Sequence, residues 1–219
     1  MLVSNSTFIN NYRSVVFVRT GSSLTIERCS FRNNSGDSNG GVIANEGPVS
    51  ISILCSTFSN NVATQHGSVI YMRRNAHGPI SVSIKRSSFY NNTAIVNGGV
   101  IYMDNSNMDS VTLDVVGSNF NKNSAGGDGG VLYLRGILQA TVHNSTFTNN
   151  NVPNTGGVSY ATGSTLTISE TNFLNNTALM VVVWLEPVTA VRLQLLMICL
   201  LYTSPSPRDA TLSRMPSSA

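Results

Sequence analysis

The sequence predicts an all-β chain, a right-handed parallel β-helix of about seven coils with three short strands per coil. Three observations lead there. A phenylalanine returns at Phe8, Phe31, Phe58, Phe89, Phe120, Phe147 and Phe173, at intervals of 23, 27, 31, 31, 27 and 26 residues. Three residues after each stands an asparagine: Asn11, Asn34, Asn61, Asn92, Asn123, Asn150 and Asn176. Ten residues after most of them a glycine pair closes: Gly40-Gly41, Gly98-Gly99, Gly129-Gly130 and Gly156-Gly157, with Gly67-Ser68 as a near miss. Self-similarity at this period marks stacked coils. The Phe-to-glycine distance is constant, whereas the glycine pair lies 16 to 21 residues before the next Phe. A fixed turn on one side and a variable loop on the other fit a solenoid with insertions.

The first strand of each coil precedes the Phe. Leu24/Ile26, Ile51/Ile53, Val82/Ile84, Leu113/Val115, Ala140/Val142 and Leu166/Ile168 alternate with polar neighbours such as Thr25, Ser52, Ser83 and Thr141. Period two with β-branched residues means one buried face. The Phe sits in a second strand, and the small residue two before it (Ser6, Cys29, Ser56, Ser87, Ser118, Ser145, Thr171) shares its inward face. The asparagine suits a turn and tolerates the left-handed region. Stacked copies would bond one another as an amide ladder.

The third strand follows the glycine pair: Val42-Ile43, then Val69-Ile70-Tyr71-Met72, Val100-Ile101-Tyr102-Met103 and Val131-Leu132-Tyr133-Leu134. Its orientation comes from the column Glu46, Arg73, Asp104, Arg135, Thr162, where opposite charges alternate and belong outside. Parity then sends Tyr71, Tyr102, Tyr133 and Tyr160 outward, flanked by Val69, Val100, Val131 and Val158, and turns Ile70, Ile101, Met72 and Met103 inward. In the first unit Ser14-Val15 takes the glycine place three residues early, so its turn is shorter. Roughly seven rungs at about 4.8 Å make a rod on the order of 30 Å long.

Beyond Ala178 the pattern fails, which divides the chain into a repeat array over 1–178, an irregular apolar segment over 179–201 and a tail over 202–219. Val182-Val183 stands where a glycine pair is due, and a frame slip across Met180–Trp184 would restore one. Leu193–Leu201 is too short to span a bilayer and reads as an edge strand. The tail has the composition of a disordered segment and resembles a translated sequencing adapter. At the other end, Met1–Asn5 lacks the basic and apolar regions of a signal peptide, and the array is read as part of a longer protein.

Charged residues are 11 % of the chain and the net charge is +3, which excludes a nucleic-acid footprint. Three cysteines make no disulfide framework. Cys29 falls on the inward face and Cys55 on the outward one, so no bridge is expected between them. The sequence calls for no cofactor, no metal and no membrane span within these residues.

Four features are candidate sites. The tyrosine column forms an outward apolar stripe that could stack on sugar rings or receive a protein partner. Lys85 and His143 share an outward column two rungs apart, with Asp114 beside it on the rung between, the one place where acid, base and cation could converge. Gly126-Gly127-Asp128-Gly129-Gly130 reads as a turn, since a calcium-binding glycine-rich repeat needs tandem copies. Asn-x-Ser/Thr triplets at Asn5, Asn33, Asn91, Asn144 and Asn175 all fall on outward positions, as glycan acceptors of a secreted eukaryotic protein would.

The Phe-x-x-Asn and Gly-Gly-(Ala/Val)-Ile motifs resemble the polymorphic outer membrane protein repeats of chlamydial surface adhesins, over residues 5–178. They are also similar to the broader right-handed β-helix families of pectate-lyase-like architecture. The resemblance implies an extracellular or cell-surface protein for structural display or adhesion, with a carbohydrate or a host or neighbouring surface protein as partner. The pectate-lyase-like likeness implies the alternative, a carbohydrate-active lyase or hydrolase.

Overall fold

Like side chains lie over like from coil to coil, and this register sets the architecture. The computed structural model describes residues 1–45, 47–73, 78–105, 110–136, 138–177, 181–184, 194–196 and 200–201. Every strand pairing in it is parallel, and the chain winds through about six turns, because seven Phe-bearing rungs enclose six intervals. The coil of Phe89 shows the path: Ile80–Lys85, Ser88–Tyr90, Thr93–Ala94 and Ile101–Asn105. Copies of these strands build sheet 1 (8 strands), sheet 2 (8), sheet 3 (4) and sheet 4 (7). Sheet 3 corrects the expectation of three strands per coil. Its strands are two residues long, pairing Val62↔Thr93 and Ala63↔Ala94, and turn the inward Ala into the core.

Sheet 1 is as the alternation requires. Leu24, Ile51, Val82 and Leu113 align in one inward column and Ile26, Ile53, Ile84 and Val115 in the next, all buried. In sheet 2 the seven phenylalanines form one interior file, with centroids 4.7–5.2 Å apart and ring planes within 9°. The rung spacing imposes this parallel stacking. Burying each ring contributes about 2–3 kcal/mol.

The corners either side of the Phe strand are single left-handed residues. Two residues after the Phe stand Asn33 (φ 54°), Asn60 (54°), Asn91 (51°) and Lys122 (57°); three before it stand Arg28 (53°), Cys55 (49°), Arg86 (50°) and Asn144 (47°). The left-handed role therefore belongs to the residue before the repeating asparagine. The asparagine itself is buried within the turn, where all four hydrogen-bonding valences of its amide are used. Asn92 Oδ1 accepts from Asn61 N and Nδ2 at 3.0 and 2.9 Å, and Asn92 Nδ2 donates to Phe58 O and Asn123 Oδ1 at 2.9 and 3.0 Å. Asn34, Asn61, Asn123 and Asn150 repeat the pattern. A second ladder runs beside it: Ser56 Oγ, Ser87 Oγ, Ser118 Oγ and Ser145 Oγ each accept the N–H of the small residue one coil earlier. Each hydroxyl also donates to the carbonyl two residues before it.

Sheet 4 departs from simple alternation at its start. Val69 N and Ile70 N both donate to Val100 O, Val100 N and Ile101 N both to Val131 O, and Val131 N and Leu132 N both to Val158 O. Two successive N–H groups sharing one acceptor mark a bend just before the strand, with the register one-to-one through Ile70↔Ile101↔Leu132, and both residues turn inward. Val69, Val100, Val131 and Val158 therefore lie in the main core beside Ile70 and Ile101, and not on the outer stripe expected for them. The glycine pair makes the preceding turn. Gly98 has φ 66°, and a Cβ on Gly99 would strike the carbonyl oxygens of Gly130 and Ser124. Ser68 replaces the second glycine by donating its Oγ to Gly99 O.

The repeat boundary expected at 178 does not end the pairing. Val181–Trp184, Gln194–Leu196 and Leu200–Leu201 continue sheets 4, 1 and 2. Residues 178–180, 185–193, 197–199 and 202–219 lie outside the described residues, and with them Met180 of the expected frame slip and the whole tail. Among the described residues no helix is long and apolar enough to cross a membrane.

Candidate functional site

The tyrosine column occupies the outer side of sheet 4, in register as Tyr71↔Tyr102↔Tyr133↔Tyr160. Rings follow one another at 5.4, 4.8 and 5.0 Å. The column is not open, however. Tyr71, Tyr102 and Tyr133 are 5, 7 and 9 % exposed and form a second apolar cluster. The fixed glycine turns fold back over them: His66 stacks on Tyr102 at 4.4 Å, and the Gly67 and Gly98 backbones abut the Tyr102 backbone and Cβ. The expected exposed stripe is thus a small outer core, and a ligand cannot stack on its faces while the turns are seated. Parity located the side correctly; the cover was not visible because the turn is remote from the strand's alternation.

Burial raises the Tyr102 hydroxyl well above the ordinary tyrosine range, helped by the Asp104 charge, and burial raises Tyr133 as well. Tyr102 OH donates to Asp104 Oδ2 at 3.4 Å, and Arg135 approaches the same oxygen at 3.9 Å. The charged column is therefore real over Arg73, Asp104 and Arg135, with Glu46 outside the described residues.

A polar column runs just before the glycines: Asn39, His66, Asn97, Asp128 and Thr155. Asn39 Oδ1 accepts from His66 N at 3.3 Å, Asn97 Oδ1 from Asp128 N at 2.8 Å, and Asp128 Oδ1 from Thr155 N at 3.3 Å. His66 interrupts this series. Its Nδ1 is buried with no partner among the described residues, and burial followed by Arg73 lowers its pKa. Asp128 serves this turn ladder, in keeping with the turn reading of Gly126–Gly130. Among the described residues no three His, Cys, Asp or Glu side chains gather to hold a metal.

The three groups considered for acid–base chemistry do not converge. Lys85 pairs with Asp114 at 3.8 Å, and Asp114 Oδ1 accepts from Thr141 Oγ1 at 2.8 Å. His143 turns the other way, with Nε2 3.6 Å from Glu170 and Nδ1 3.0 Å from Ser169 Oγ. Such exposed pairs contribute at most about 1 kcal/mol each.

The outer face of sheet 1 is open, as is that of sheet 2, where Arg32, Thr57, Tyr90 and Asn119 are exposed. On sheet 1 one column reads Ser23, Ser50, Ser81, Thr112, Gln139, Thr165 and the next Thr25, Ser52, Ser83, Asp114, Thr141, Thr167. Asp114 is the one charge in the two columns. The alternation marked these residues as polar and outward, but only the register shows that hydroxyls align with hydroxyls. Like charges directly stacked on neighbouring strands repel, which favours neutral side chains in such columns.

Asn5, Asn33, Asn91, Asn144 and Asn175 are all exposed, left-handed corner residues flanking sheet 2. Cys29 is buried and Cys55 exposed, and both are free.

Three segments, residues 28–46, 86–104 and 117–135, match the family model of the Chlamydia polymorphic membrane protein repeat. Each starts at the left-handed corner before a Phe, and the second and third end at Asp104 and Arg135 in the charged column of sheet 4, so the match covers the constant part of the coil. No curated protein and no solved structure matches the chain.

Proposed function

We propose that this chain, a parallel β-helix with segments in three coils that match the polymorphic membrane protein repeat, is a cell-surface rod that displays a rigid adhesive face. The observation that carries the reading is the outer face of sheet 1. Two of its outward columns are lined by hydroxyls that both donate and accept, with Asp114 as their one charge, and continuous parallel pairing holds them in register; a third column, at the corner with sheet 2, carries Glu27, Lys85 and His143. Such a face suits a neutral, hydrogen-bonding partner: a carbohydrate or a polar patch of a neighbouring surface protein. The variable loops between sheets 4 and 1 supply specificity beside it. The five corner asparagines would carry glycans along the borders of sheet 2 in a eukaryotic secretory pathway, Asn5 and Asn144 at its corner with sheet 1; a glycosidase-sensitive mass shift checks this.

The carbohydrate-cleaving alternative draws no support from the geometry, because Lys85, Asp114 and His143 split into two pairs on an open face. Binding to glycan arrays and to cells, measured for wild type and for Ser50→Lys/Gln139→Lys, tests the adhesive reading. Both positions are exposed and lie three rungs apart. We expect at least a tenfold loss of binding, about 1.4 kcal/mol, at unchanged melting temperature. Undiminished binding by the lysine variant would remove sheet 1 as the adhesive face.

A further inference from the structure

The turn that carries His66 is anchored less fully than the turns beside it. Asn39, Asn97 and Asp128 each accept, through a side-chain oxygen, the backbone N–H of the same position one coil later. Among the described residues His66 makes no such bond to Asn97 N, and its Nδ1 is buried without a partner. Backbone bonds still hold the turn to the next coil: Gly67 N donates to Asn97 O at 3.1 Å and Val96 N to Gln65 O at 2.8 Å.

This turn lies over one tyrosine in particular. The imidazole stacks on Tyr102 at 4.4 Å, against 6.5 Å for Tyr71, and a Cβ on Gly67 would meet Tyr102 Cβ at 3.2 Å. Tyr102 is buried beneath it.

Among the described residues, the charges acting on the imidazole are Arg73, on the strand of its own coil, and Asp104, on the next. Asp104 is already engaged by Tyr102 OH and by Arg135. The titratable rings beside it are Tyr71 and Tyr102, and the flanking turns present Asn39 and Asn97, which do not titrate. An imidazolium carries N–H on both nitrogens, so Nδ1 would have to donate where nothing accepts. The Tyr102 face attracts a cation but offers Nδ1 no acceptor. Burial and then Arg73 hold the His66 pKa below its ordinary value, against the pull of Asp104.

We propose that protonation of His66 releases the turn over residues 64–68 and bares the ring of Tyr102, so that this part of the outer core is closed at neutral pH and opens in acid. In the released turn water solvates both ring N–H groups. The open form therefore takes up the proton first, and opening grows as pH falls below about 6.5 and levels off under the closed-state pKa. The device is independent of any role of sheet 1.

Hydrogen exchange followed by NMR at about pH 7.5 and about pH 5.5, corrected for the intrinsic effect of pH, tests this. The Gly67 amide should be less protected than those of Gly98 and Gly129, which bond Asp128 O and Thr155 O in the same way. Its protection should fall about threefold to tenfold on acidification and should not respond to low urea, as befits a local opening. Iodination of Tyr102 should outpace that of Tyr133 in acid, both measured against exposed Tyr12. His66→Asn should abolish the pH response, and His143→Gln, which removes an exposed histidine, should keep it. Gly67 protection that is unchanged by pH would overturn the proposal. So would equal protection and an equal fall at Gly67, Gly98 and Gly129, which would mean that only the whole stack opens, or a response that survives in His66→Asn. The comparison of the three glycines in wild type decides the matter even if a variant fails to fold.

Discussion

Asn91 and Asn92 are chemically identical neighbours with opposite roles. Asn91 points out of the coil at φ 51°, whereas Asn92 is buried with four amide hydrogen bonds. Asn92→Ala would strand the Asn61 N–H groups and the Phe58 carbonyl in a dry interior. Leaving buried groups unmade costs about 1–3 kcal/mol each, so a loss of at least about 3 kcal/mol is expected in denaturant unfolding. Asn91→Gly keeps the left-handed corner and should change stability by less than about 0.5 kcal/mol. The ladder was legible in the sequence because one position never varies. Which asparagine takes the left-handed corner was harder to read, since six of the seven units carry Asn at both places. Lys122 alone separates them, because a lysine can occupy the outward corner and not the buried ladder.

At the scale of the element, the fixed glycine turn does the most that alternation could not show. It covers the tyrosine column and bends the chain so that Val69, Val100 and Val131 turn inward, so a stripe read as exposed becomes a second core. His66 is its weak point, an imidazole where neighbouring coils place an amide or carboxylate oxygen. Its folded pKa lies below the usual 6.5, so the unfolded chain takes up the proton first as pH falls. Stability is therefore lost as pH drops below about 6.5 and levels off under the folded pKa. His66→Asn restores the acceptor found at Asn39 and Asn97. It should flatten that acid-side decline and add about 1 kcal/mol at pH 5, measured by urea unfolding across pH. A variant that keeps the wild-type pH dependence would show that His66 is not its source.

For the molecule as a whole, the repeat alone was enough to give the parallel helix, the Phe file and the amide ladder, since each coil is stable only against its neighbours. Sheet 3 escaped notice because a two-residue strand has no period to detect. The strand Val181–Trp184 escaped it because it joins sheet 4 without a glycine pair before it. The constant part of the coil, which the family match covers, is the scaffold. The faces and loops that would select a partner are the parts each repeat is free to vary, so the sequence specified fold more fully than function.

If like residues stack on like, the carboxamide protons of Asn61, Asn92 and Asn123 are locked between coils, while those of Asn60, Asn91 and Asn149 are at the surface. Side-chain amide hydrogen exchange, resolved by NMR, measures this directly. The first set should exchange only through opening of the coil stack, orders of magnitude more slowly than the second. Equal, fast exchange at both sets would mean that no ladder exists, and the coiled architecture would have to be abandoned.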